Sequence, residues 1–140
     1  MVATILEAIA AFPLSAWLRT SFVAYPLVSA LHILGAGGLV TLVWLMHRAG
    51  GRNPENWGRY RRLAAAALAV MVVSGLALFS VKPVDYAANP AFLIKMALIV
   101  LALANIAIYE ALPASRHVTA VVSVAVWPGV LVAGRFVGFV

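Results

Sequence analysis

The chain has 140 residues, 65% of them hydrophobic and only 10% charged, whereas a soluble domain carries about a quarter charged residues. A soluble fold of this size could not hide so much apolar surface, so the composition points to lipid as the solvent. The absence of cysteine excludes disulfides, thiolate metal sites, iron–sulfur clusters and thiol catalysis, and the net charge of +6 does not form a nucleic-acid face, because five of the ten basic residues crowd into the stretch from Arg48 to Arg62.

Residues 1–20 read as a short interfacial helix. Ile5, Leu6, Ile9 and Phe12 form an apolar stripe, and Trp17 suits the headgroup level. They do not read as a signal peptide, because Glu7 is the only charge before Arg19. Four segments then reach the ~20 apolar residues that a spanning helix needs: about 22–46, 63–81, 91–112 and 118–139. The first holds His32 and no formal charge, and the second is uncharged. The third has Lys95 near its start and Glu110 near its end, and the fourth has Arg135 near its end. Asn53-Pro54 and Asn89-Pro90 are helix-start signals, with Asn as the cap and Pro in the first turn. The first opens an amphipathic lead-in to the second span. Pro26 and Pro128 predict kinks. Ala125, Gly129 and Ala133, Gly134 and Gly138, and Gly35, Gly37 and Gly38 predict close helix packing, within one bundle or across a homodimer. The expected fold is an all-α transmembrane four-helix bundle forming a single domain over 1–140.

Charge sets the expected direction. Arg48, Arg52, Arg59, Arg61 and Arg62 against Glu55 mark the first loop as cytoplasmic in a bacterial inner membrane. Both termini and the Lys82–Pro90 loop then face the periplasm. Charges at membrane depth cost at least ~2.5 kcal/mol near the centre, so they carry the functional information. Backbone counting puts His32 roughly 15 Å deep from the outer surface, and Lys95 and Arg135 each roughly 6 Å deep. All three fall in the outer half. Haem b needs an axial imidazole near the midplane and cations for its propionates nearer the surface. His32 could supply the iron ligand, and Lys95 and Arg135 the cations. Met71, Met96 or the His32 of a second copy would be the other axial ligand, or the iron would be five-coordinate, and Trp127 lies inside the fourth span among the expected cofactor-binding residues. A quinone or other anionic head group held by Lys95 and Arg135 is the smaller version of the same idea. His47 and His117 read as solvated residues at helix ends, and Asn105 as an interhelical bond. There is no GxGxxG, P-loop, HExxH or carboxylate pair, so no catalytic constellation is present.

Four strings carry a resemblance: LHILGAGGLV at 31–40, SGLALFS at 74–80, YAANPAFLIKMALIVLALAN at 86–105 and VAGRFVGFV at 132–140. They resemble a bacterial family of small four-span membrane proteins catalogued as a domain of unknown function. The last two spans are also similar to the membrane domain of copper-resistance D-type proteins. The matching motifs fall on His32 and Gly35, on Asn89 to Phe92 with Lys95, and on Gly134 with Arg135. The resemblance implies the four-span fold and no established activity. The expected role is a membrane subunit binding haem b or a related redox ligand for electron transfer. The alternative is an accessory subunit docking on a larger membrane complex. Metal or solute transport fits less well, because one histidine and a few methionines make a poor copper path.

Overall fold

The structure, a computed structural model, describes residues 1–49 and 54–139. Arg52 and the expected cap Asn53 lie outside the described residues, as does the side chain of Glu55. Among the described residues there are seven α-helices and no strand: α1 (Val2–Ala10), α2 (Pro13–Thr20), α3 (Ala24–Ala49), α4 (Pro54–Val81), α5 (Pro83–Ala88), α6 (Pro90–Ala111) and α7 (Arg116–Phe136). A 3₁₀ turn, Pro113–Ser115, joins the last two. The chain is an all-α four-helix bundle, and α3, α4, α6 and α7 are each long and apolar enough to cross a membrane. Their outward faces are apolar, with Leu34 72%, Val73 69% and Val100 64% exposed. Such a surface is stable against lipid tails and not against water. The chain is a multi-pass membrane protein.

Three local readings change. Residues 1–20 form two helices, because Pro13 opens a new helix after Phe12 with its missing N–H at a position that needs no partner. The lead-in to the second span is continuous with it: α4 runs unbroken for 28 residues. Pro26 sits in the first turn of α3, where a missing N–H breaks no helical bond, so the expected kink has no cause there. Pro128 does lie inside α7, which continues past it. The cap at Asn89 forms as expected: its Oδ1 accepts from the Phe92 backbone N–H at 3.0 Å, and its Nδ2 donates to the Val137 carbonyl at 3.2 Å. One side chain thus starts α6 and ties it to the end of α7.

The bundle is two antiparallel hairpins, α3–α4 and α6–α7, joined by contact of α3 with α7. No Cα of α4 comes within 8 Å of α6. Side chains bridge that wider seam at its ends. At the arginine-rich end Arg61 pairs with Glu110 at 2.7 Å and Trp57 stacks on Tyr109. At the far end Phe79 stacks on Phe92 and both meet Tyr86 of α5. Helices α1, α2 and α5 pack over this far end. Leu39, Ala64, Met71, Ala102, Trp127 and Val130 make the buried apolar core. Small residues let the helices approach: Gly35 faces Met71, and a Cβ there would lie 3.3 Å from Met71 Cγ. Gly37 and Gly38 face open space.

Candidate functional site: a histidine–lysine pair inside the bundle

His32 points from α3 into the bundle. Its Nδ1 lies 3.1 Å from the Met71 carbonyl and 3.0 Å from Ser74 Oγ, both on α4. A carbonyl only accepts, and Ser74 spends its own hydroxyl proton on the Val70 carbonyl at 2.6 Å. Nδ1 therefore carries the ring proton, and Nε2 keeps a bare lone pair. That lone pair faces Lys95 Nζ of α6 at 3.4 Å. The ring is clamped from behind by Gly75, where an added Cβ would sit 3.0 Å from His32 Cε1. The lysine is seated on Gly134 of α7, where a Cβ would sit 3.4 Å from Nζ. All four spanning helices thus build one polar layer, with glycine at Gly75 where a methyl would crowd the ring.

Lys95 does not turn to the bundle surface. Its ammonium has three donors and, among the described residues, meets one protein acceptor, the His32 ring. Among the described residues no carboxylate comes within ion-pair distance of it, since Arg61–Glu110 is the ion pair present. His32 and Lys95 are both half-buried.

The other expected site residues go elsewhere. Arg135 is exposed, and its guanidinium stacks on Phe139 at 4.8 Å. Met71 is buried, with its side chain turned into the notch at Gly35. Met96 is 41% exposed. Trp127 is buried in the apolar core, and its Nε1 has no hydrogen-bond partner. Of the residues expected at a haem, His32 Nε2 faces Lys95 Nζ at 3.4 Å, and Arg135 lies against Phe139. His47 and His117 come from α3 and α7 to the arginine-rich end, with ring centroids 6.5 Å apart. Among the described residues no group of three or more His, Cys, Asp or Glu could hold a metal. Asn105 does bond another helix: its Nδ2 donates to the Thr119 carbonyl and to Ser123 Oγ, both at 2.8 Å.

Ser74 and Gly75 were given no role by sequence reasoning. The available signal was a serine next to a glycine in an otherwise apolar span, at the depth of His32.

Beyond the pair, the far end opens into a cleft of about 530 Å³ lined by Tyr25, Lys82, Asp85, Tyr86, Asn89 and Val137, among others. Burial pushes the Tyr86 hydroxyl up to about 12, and its hydrogen bond to Tyr25 and the charge of Asp85 act in the same direction. Tyr86 therefore stays neutral at any physiological pH. No protein-family model matches this chain, and neither a curated protein nor a solved structure matches it.

Proposed function

We propose that this chain is a small integral membrane subunit of a bacterial inner membrane that holds the head group of a redox ligand against Lys95, beside His32. The arginine-rich end lies in the cytoplasm and both termini in the periplasm, by the distribution of Arg48, Arg59, Arg61 and Arg62. One observation carries the reading: a lysine amine inside the bundle, 3.4 Å from a histidine lone pair, with no carboxylate against it. Intramembrane ionisable groups are costly and persist where they serve a site. An ammonium with two unused donors suits a ligand that brings oxygen acceptors without a proton of its own. A quinone-type carbonyl meets that description, and the exposed apolar flanks of the bundle would accommodate its tail. Haem b is the poorer candidate because Lys95 would have to leave Nε2 first.

The test uses the purified full-length chain in lipid nanodiscs and a short-chain benzoquinone as probe. Binding should quench tryptophan fluorescence saturably. Lys95→Gln should weaken it at least tenfold, and Arg135→Gln should not. No saturable binding by the unaltered protein would overturn the reading. A Soret band that shifts on dithionite reduction would replace the quinone with haem.

A second reading has its own support. The His32–Met71–Ser74 and Asn105–Thr119–Ser123 bonds both fasten one helix to another. In an accessory subunit docked on a larger complex, or in a homodimer, these groups would brace the bundle and nothing more. Co-purification with such a complex, with quinone binding unaffected by Lys95→Gln, would favour it.

A further inference from the structure

Tyr25, Ser29 and His32 follow one another on α3 at spacings of four and three, so they share one face of the helix. The face begins in the far-end cleft, where Tyr25 is a lining residue. It ends at the His32–Lys95 pair. Ser29, about 7.5 Å along the helix from Ala24, is half-buried. Its hydroxyl makes none of the hydrogen bonds formed among the described residues, and it is not one of the sealed, unpartnered polar atoms either. A helical serine commonly bonds back to the carbonyl four residues earlier, and Ser74 and Ser80 bond within their own helices. An unsealed hydroxyl that does not do so between two other polar groups is a place that water satisfies. Past His32 the polar face stops: Met71, Leu39, Ala102 and Trp127 fill the interior with apolar side chains.

We propose that the Tyr25–Ser29–His32 face is a hydrated half-channel, open at the far end and closed at Met71, through which water and protons reach the His32–Lys95 pair from one side of the membrane only. The pair then answers to one compartment whatever ligand it holds, and the chain is not a through-going pore. The inference does not depend on the redox reading, since it concerns solvent access alone.

The chain has no cysteine, so a single introduced thiol reports its own surroundings. Ser29→Cys in the full-length chain is exposed to a charged, membrane-impermeant methanethiosulfonate in right-side-out spheroplasts and in inverted vesicles. It should react from one side only, opposite to the side that labels Gly58→Cys at the arginine-rich end. It should also react at least tenfold faster than Leu31→Cys on the lipid-facing surface. Equal reaction from both sides, or a rate no greater than that of Leu31→Cys, would overturn the proposal. Hydroxyl-radical footprinting of the unsubstituted protein covers the case in which a variant misfolds. Tyr25 and His32 should be oxidised while Met71 is protected; protection of His32 equal to that of Met71 would sink the half-channel.

Discussion

At the scale of single residues, the glycines separate close packing from open surface. Gly75 backs the His32 ring so closely that a Cβ would lie 3.0 Å from it, tight enough that the ring would have to give by a few tenths of an ångström. Gly75→Ala should therefore push the ring off Met71 and Ser74 and destabilise the fold by about 1–3 kcal/mol. Gly37→Ala meets nothing within 4 Å and should be neutral or stabilising, by less than about 1 kcal/mol. Thermal unfolding of both variants in the same detergent compares them directly. Tyr86 gives a pH prediction with a definite sign. Its hydroxyl is held protonated in the fold up to about 12, against an ordinary value of 10.0. The unfolded chain releases that proton first as pH rises, so this contribution to stability is intact below 10 and fades as pH climbs toward 12. Ultraviolet titration at the phenolate band should show a late phase that Tyr86→Phe removes. Tyr25→Phe should move that phase to lower pH by removing the hydrogen bond.

At the scale of helices, Asn105 is the fastening between α6 and α7. Replacing it with leucine removes two bonds of 2.8 Å. Interhelical bonds of this kind average about 0.6 kcal/mol and reach about 1.7, so Asn105→Leu should cost within that range in a reversible unfolding assay in bicelles. This helix-to-helix role was legible from the sequence, because an amide in the middle of an apolar span has few other uses. The four spans were legible for the same reason, and so was the cap at Asn89. The meeting of His32 and Lys95 was not. Backbone counting separates them by roughly 9 Å of depth. Both helices start at the far end, so the N-terminal lean of helical side chains shifts the two alike, and it is the long stem of Lys95 that spans the difference. Which helices face each other also had to be known, because α3 and α6 stand diagonally across the bundle. Arg135 shows the converse: depth grouped it with Lys95, and its position on α7 turns it toward Phe139 instead.

At the scale of the whole molecule, two hairpins share one close contact and one wide seam. The Arg61–Glu110 pair crosses that seam with both side chains about half exposed, 53% and 47%. A double-mutant cycle should therefore return a coupling below about 1 kcal/mol, shrinking further at high salt. The charge-swapped pair Arg61→Glu with Glu110→Arg should restore what either single change loses. The largest reach in the molecule belongs to α4. Its 28 residues make a rod of ~42 Å, while the hydrocarbon layer is only ~30 Å thick. About two turns therefore stand clear of the apolar layer and carry Arg59, Arg61 and Arg62 with them. The same rod bears Ser74 and the Met71 carbonyl, which hold the His32 ring. The helix that stands out of the membrane is thus the one that holds the imidazole, with Met71 only nine residues, ~14 Å, beyond Arg62.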